Sequence, residues 1–176
     1  MKARRPVSKA VLAAVGLALL VAACAQIKPS ICPRAAVLGE ASSVTKMAPG
    51  ATGANGVIVE AEMVGLELDC IFRGEQATEL ESNFTMDIVA RRGPALRGDV
   101  AEIEYFVVIT DRAGNVLTKE VFPLRLPFGG RNEVRIKEHT WQYYRLEKGT
   151  RGSSYEIWAG FQLSDTELRM KRGKPQ

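Results

Sequence analysis

Few residues of this 176-residue chain have the type and spacing that chemistry needs. His139 is the single histidine, so a serine–histidine–aspartate triad would have to use it. It lies in the strand-like run "KEHTW", and the sequence contains no Gly-x-Ser-x-Gly motif of the kind that positions a hydrolase nucleophile. We therefore interpret His139 as a surface or strand-edge residue and predict no catalytic residue.

Paired acids could catalyse glycoside hydrolysis, and three such pairs occur: Glu60/Glu62, Glu79/Glu81 and Glu102/Glu104. Residues two apart on a strand share a face, which places their carboxylates about 6–7 Å apart. These acids alternate with apolar residues that must face a core, so we expect them on the wet outer face. A catalytic acid needs a sheltered site to raise its pKa. The sequence therefore predicts a protein that is not an enzyme.

Cofactor and metal sites also lack their sequence signals. Two of the cysteines, Cys32 and Cys70, and the distant His139 do not have the spacing of zinc ligands. The glycines of "APGATGANG" fall at positions 50, 53 and 56, which is not the phosphate-binding Gly-x-Gly-x-x-Gly pattern. We predict no cofactor and no metal.

Aromatic and basic residues cluster in "HTWQYYRLEKGTRGSSYEIW". Flat aromatic rings with arginine are the side chains that anchor partners at interfaces. The stretch predicts a surface for a protein or glycan partner, formed by Trp141, Tyr143, Tyr144, Arg145 and Arg151. Aromatic residues also favour strands for packing reasons alone, so core or edge packing is the alternative interpretation.

The N-terminus has the pattern of an export signal. Four basic residues, Lys2, Arg4, Arg5 and Lys9, precede an apolar segment from Val11 to Ala23. As a helix this segment spans about 20 Å, which is too short for a hydrocarbon core of about 30 Å. The segment is therefore expected to be a signal peptide and not a permanent membrane span.

The five residues "LVAAC", from Leu20 to Cys24, resemble the lipobox of bacterial lipoproteins. The resemblance implies diacylglycerol on the Cys24 sulfur, cleavage after Ala23 and acylation of the new amino group. Ala25 is not aspartate, which in such lipoproteins favours the outer membrane, facing the periplasm. The membrane is then a partner through the acyl chains on Cys24. The alternative is an ordinary signal peptide cut nearby, which leaves a chance cysteine.

Removal of the signal changes the charge balance. The remaining 153 residues carry 20 basic and 20 acidic side chains. This balance leaves no excess of basic charge, so nucleic acid is not predicted as a partner. In an oxidising compartment the pair Cys32 and Cys70 predicts a disulfide, and two buried free thiols are the alternative.

Apolar and polar residues alternate along most of the chain after Val57, as in "VIVEAEMVG", "LELDCIF", "NFTMDIVA" and "YEIWAGFQL". A period of two indicates strands, and "TDRAGNV" predicts a hairpin turn with a positive φ at Gly114 or Asn115. The pattern predicts an all-β, immunoglobulin-like β-sandwich of seven or eight strands.

The resulting organisation is a signal peptide at 1–23, a lipidated tether and linker at 24–56, the sandwich at 57–170 and a disordered basic tail at 171–176. A short strand at 34–38 and a capping box at Ser164 and Glu167, which starts a helical turn, are also expected. Three short motifs resemble uncharacterised envelope lipoproteins: Cys32-Pro33, Asp111–Leu117 and Gly160–Ser164. The expected function is non-enzymatic binding or support in the envelope, or alternatively an accessory subunit or assembly factor of an envelope complex or enzyme.

Overall fold

The computed structural model describes residues 32–74, 78–146 and 150–172. In these ranges eight strands and one α-helix follow one another along the chain. They are β1 (Arg34–Val37), β2 (Ser43–Met47), β3 (Val57–Arg73), β4 (Glu79–Arg92), β5 (Val100–Asp111), β6 (Val116–Pro127), β7 (Glu133–Arg145), β8 (Tyr155–Phe161) and α1 (Asp165–Arg172). The predicted signal peptide and Cys24 lie outside the described residues.

The strands form two four-stranded sheets. Sheet one has the order β1-β8-β5-β6, and sheet two has the order β2-β3-β4-β7. Every neighbouring pair is antiparallel except β1 and β8, which run parallel. This architecture confirms the prediction of an all-β, immunoglobulin-like sandwich with seven or eight strands.

The core lies between the sheets because alternate residues of each strand point inward. Both sheets contribute its largest fully buried side chains, which include Phe84, Met86 and Ile88 from β4, Tyr105 and Ile109 from β5, and Ile157 and Phe161 from β8. Burial of one such side chain contributes about 1.5–3 kcal/mol, so the packing of the two inner faces stabilises the sandwich.

The runs "VIVEAEMVG" and "LELDCIF" belong to one strand, the 17-residue β3. Their alternation differs in phase because the register with β4 shifts between Met63 and Gly65. Before this bulge the even-numbered residues are exposed, and after it the odd-numbered ones are more exposed. A bulge of this kind redirects the following side chains, and here it turns Ile71 outward.

The sandwich begins before residue 57, the predicted boundary. β1 and β2 lie inside the segment predicted as tether and linker, and β1 pairs with residues Glu156 to Ala159 of β8. β2 contributes the buried Val44 to the core. The backbone hydrogen bonds and the buried valine make this segment part of the domain.

The sulfur atoms of Cys32 and Cys70 lie at disulfide-bonding distance, with Cα atoms 6.0 Å apart. Cys32 precedes β1 of sheet one and Cys70 lies in β3 of sheet two, so the link joins the two sheets. It also fixes the start of the described chain to one end of the sandwich.

The C-terminal helix α1 confirms the predicted capping box. The Ser164 amide donates to Glu167 Oε2 at 2.7 Å, and the Glu167 amide donates to Ser164 Oγ at 3.3 Å. The helix includes Lys171 and Arg172, which were predicted as tail. Lys171 Nζ donates to the carbonyl of Glu40 at 2.9 Å, which holds the last turn of the helix on the domain.

Candidate functional site

The strand β7 presents the predicted aromatic residues on two opposite faces. Even-numbered residues such as Gln142 and Tyr144 point into the sandwich, whereas Trp141, Tyr143 and Arg145 point outward. The side chain of Trp141 is 66% exposed and that of Tyr143 is 46% exposed. Strand alternation therefore produces a pair of neighbouring aromatic rings on the surface of sheet two.

Side chains of β4 and β3 extend this surface across the sheet. Asn83 lies opposite Trp141, Glu81 opposite Tyr143, and Ile71 opposite Glu81. Ile71 is itself 45% exposed, so it adds an apolar side chain to this surface. We call this surface the aromatic face and define it by Ile71, Arg73, Glu79, Glu81, Asn83, Trp141, Tyr143 and Arg145.

Charged groups surround the aromatic rings. Arg73 Nε lies 2.8 Å from Glu81 Oε2, which fixes the carboxylate beside Tyr143. A hydrogen bond to the Glu79 carboxylate raises the pKa of the Tyr143 hydroxyl, and desolvation adds to this while Arg145 opposes it. Tyr143 therefore stays neutral and keeps a polar tip on an apolar ring, as is typical of interface tyrosines.

A shallow depression of about 410 Å³ lies farther along the outer face of sheet two. It is beside the β3 bulge, where Val64 is 52% exposed. Arg135 and Lys137 of β7 line it together with Asp87, whose carboxylate lies 2.7 Å from Lys137 Nζ. The outer face of sheet two thus carries apolar, cationic and acidic groups along β7.

The structure separates Tyr144 from the predicted cluster. Its ring packs against the core, and its hydroxyl lies 3.2 Å from Ser82 Oγ. Burial raises the pKa of Tyr144 to about 12. The prediction of Tyr144 as a surface contact is therefore wrong, because its position is one residue out of phase with Trp141 and Tyr143. For Tyr144 the alternative of core packing is the correct one.

Arg151 is exposed but does not lie in a strand. It belongs to the connection between β7 and β8, directly before the 3₁₀ turn Gly152–Ser154. The structure thus brings Trp141, Tyr143 and Arg145 together on one strand face and leaves Arg151 in a neighbouring loop.

The candidate chemical groups lie in ordinary surroundings. His139 is exposed on β7, an edge strand, and its Nδ1 lies 3.0 Å from Thr85 Oγ1. Glu60, Glu62, Glu102 and Glu104 are exposed, as the alternation predicts. Within the part of the chain that the structure describes, no three His, Cys, Asp or Glu side chains form a cluster that could hold a metal ion.

A second depression, of about 610 Å³, was not predicted. It lies between the 48–56 loop and α1, and its walls include Met47, Val57 and Leu163. Lys46 Nζ and Glu167 Oε1, 2.9 Å apart, hold the helix beside it. These walls come from segments more than a hundred residues apart, so no local pattern could have indicated them.

Comparison with known proteins adds no relative. No family model, no curated protein and no solved structure matches the chain. None of the helices in the described ranges is long and apolar enough to cross a membrane.

Proposed function

We propose that this chain is a lipid-anchored cell-envelope lipoprotein with a non-enzymatic binding role, and that the aromatic face is its contact surface. The observation that carries the proposal is the exposure of Trp141 and Tyr143 beside Ile71 on one sheet face. Exposed aromatic rings with arginine are enriched where proteins meet partners. The surrounding Arg73, Glu81 and Arg145 would supply the polar rim of such an interface.

The anchor proposal is supported by the N-terminal sequence. The five residues Leu20 to Cys24 have the lipobox pattern, and a basic, apolar signal precedes them. Two or three acyl chains hold a protein firmly, since each buried CH₂ contributes about 0.8 kcal/mol. The pairing of Cys32 with Cys70 is compatible with export to an oxidising compartment.

The proposed tether would be short. From Cys24 to Cys32 the chain advances eight residues, which can span at most about 26–29 Å. Cys70 lies opposite Ser82, and Ser82 lies opposite Gln142, so the tether reaches the end of the sandwich that carries Trp141 and Tyr143. The anchor would thus keep the aromatic face near the membrane and raise its effective concentration toward envelope partners.

A second candidate is an accessory subunit or assembly factor that contacts two components of an envelope complex. The outer face of sheet one favours it, because Val116, Leu117 and Val121 of β6 are exposed there. Such a protein would use both outer faces, whereas a simple binding domain needs only the aromatic face.

Site-specific photo-cross-linking in cells tests these proposals. A photoreactive residue at Tyr143 probes the aromatic face, one at Leu117 probes β6, and one at the exposed Arg97, in the β4–β5 connection, is the control. We expect a defined adduct with another envelope component from position 143 and none from 97. Adducts from both 143 and 117 would favour the second candidate. Equal labelling from 143 and 97 would contradict a specific binding face.

The partner class is read from the same adduct. A protein partner gives tryptic peptides, and a glycan partner gives a mass that glycosidase treatment lowers. Trp141 lies opposite Asn83, and Asn83 lies opposite Asp69. The indole ring could stack on a sugar while these two polar neighbours hydrogen-bond its hydroxyl groups. In parallel, Cys24→Ser should release the chain from membranes or block its processing. Membrane fractionation like that of the wild type would contradict the anchor.

A further inference from the structure

The edge of β7 differs from the other sheet edges in the described structure. β1 has four residues, β2 has five with a register shift at Met47, and β6 contains Pro123 and Pro127. Short length, irregularity and proline are the ways in which sheets block edge pairing. β7 has 13 residues without proline, in unbroken register with β4. It is therefore a long, regular edge that can accept another strand.

The backbone hydrogen bonds show which β7 groups point outward. The Arg92 amide donates to the Asn132 carbonyl, and the Leu146 amide donates to the Thr78 carbonyl, both at 2.8 Å. In an antiparallel ladder, bonding to one neighbour alternates along the strand, so the even-numbered positions face β4. The odd-numbered positions of β7 must then direct their N–H and C=O groups to the open edge. They are Glu133, Arg135, Lys137, His139, Trp141, Tyr143 and Arg145.

The same positions are complementary to their own reversed sequence. When two antiparallel copies are centred on His139, Glu133 lies opposite Arg145, which pairs opposite charges. Arg135 then lies opposite Tyr143 and Lys137 opposite Trp141, which places cations beside aromatic rings.

Other registers lose all or part of this complementarity. A centre at Trp141 places Lys137 opposite Arg145, and a centre at Lys137 places two copies of that lysine opposite each other. Like charges directly opposite destabilise a strand pair. A centre at Glu138 keeps Arg135 opposite Trp141 but places Glu133 opposite Tyr143. The centre at His139 is thus the register that pairs Glu133 with Arg145.

We propose that β7 pairs antiparallel with β7 of a second copy of this chain, with a two-fold axis at His139. The two copies of sheet two would then form one continuous eight-stranded sheet. The inference goes beyond the proposed binding role, because it uses the backbone edge and does not depend on the anchor or on another envelope component. The aromatic faces of both copies would lie on the same side of the joined sheet.

Two lipid anchors are compatible with this dimer. Each tether reaches Cys70, which lies in the same cross-strand row of paired residues as Gln142. Gln142 lies three residues from the proposed axis at His139. The two rows are therefore offset by about 20 Å along the strands. This offset is shorter than the reach of about 26–29 Å available to the chain between Cys24 and Cys32.

Sedimentation equilibrium of the full chain, in a density-matched detergent, tests the proposal. We expect the wild type to reach twice its chain mass at concentrations up to about 100 µM. His139→Pro removes an outward N–H and the side-chain hydrogen bond with Thr85 but no backbone hydrogen bond to β4, and proline is tolerated at such edge positions. It removes two hydrogen bonds per dimer, so the dissociation constant should rise at least about tenfold. His139→Ala keeps the N–H and is the matched control, which should stay within about threefold of the wild type.

A charge exchange tests the register independently of proline. Glu133→Arg and Arg145→Glu should each weaken the dimer, and the two together should restore it, because opposite charges again face each other. A monomeric wild type over this range would overturn the proposal. A dimer unaffected by His139→Pro, or a double variant no tighter than the single ones, would also overturn it. The purified chain contains no envelope partner, so these results do not depend on the cross-linking outcome.

Discussion

Breaking the link between Cys32 and Cys70 should remove a large part of the stability of the sandwich. The two residues are 38 positions apart, and closing a loop of this length stabilises the folded state by about 4 kcal/mol in the chain-entropy model. Small domains have about 5–15 kcal/mol of stability in total. Loss of the link should therefore weaken the domain strongly without abolishing its fold, because the large buried side chains between the sheets, such as Phe84 and Phe161, remain in place.

Urea unfolding followed by circular dichroism measures this effect. With an m-value of about 2 kcal/mol/M, the loss of 4 kcal/mol lowers the unfolding midpoint by about 2 M. The Cys32→Ala/Cys70→Ala double variant should show the same midpoint as the reduced wild type. Reducing agent should not change the double variant, which is the matched control for effects of the reagent itself.

Hydrogen exchange locates the loss within the fold. The Leu38 amide donates to the Ala159 carbonyl at 2.8 Å, next to the short β1–β8 pairing. This amide should lose protection on reduction before the central amides of β3 and β4 do. A midpoint shift of less than about 0.5 M on reduction would refute this stabilisation, as would a thiol titration that finds both cysteines free in the native protein.

Two further predictions concern the core. A Cβ atom at Gly160 would lie 2.6 Å from Ala41 Cβ, so Gly160→Ala should destabilise the domain by about 1–3 kcal/mol. Gly39 has open space where its Cβ atom would lie, so the control Gly39→Ala should change stability by less than about 0.5 kcal/mol. Equal unfolding midpoints for the two variants would contradict this packing. Burial raises the pKa of Tyr105 and of Tyr144 to about 12 from an ordinary value of 10.0. The stability that the two neutral hydroxyls contribute to the folded state is therefore complete below pH 10 and is lost as the pH rises toward 12. Tyr105→Phe should reduce this alkaline loss in pH-dependent urea titrations, and an unchanged pH profile would refute it.

Local patterns in the sequence were sufficient for most of the sandwich. Phe84, Met86, Ile88 and Ala90 alternate as predicted and are all buried, because a strand places every second residue on the same face. The hairpin before β6 has Gly114 at φ 84°, as the turn sequence indicates. Both features depend only on neighbouring residues, which is why the sequence alone could predict them.

Nonlocal features were harder to predict. The short strand expected at 34–38 is present as β1, but its partner β8 lies more than a hundred residues later, so no local pattern could assign β1 to the sandwich. The bulge at Met63 and Gly65 joins two alternating runs into β3, although their phases differ. This bulge also places Ile71 on the aromatic face, a contribution that sequence reasoning missed.

The candidate site was predicted in part. Trp141, Tyr143 and Arg145 share one face, and the period of two that indicates a strand also determines this grouping. The same period excludes Tyr144 from that face, so a stricter use of alternation would have separated it. Glu81 and Arg73 come to the aromatic rings through sheet register, which a single sequence does not reveal.

The most direct test of the proposed role is the intact mass of the native protein extracted from membranes. We expect residues 24–176 with a diacylglyceryl group on Cys24 and an acyl group on its amine, and without residues 1–23. A polypeptide that keeps its first 23 residues and an unmodified Cys24 thiol would contradict the anchored binding domain proposed for this chain.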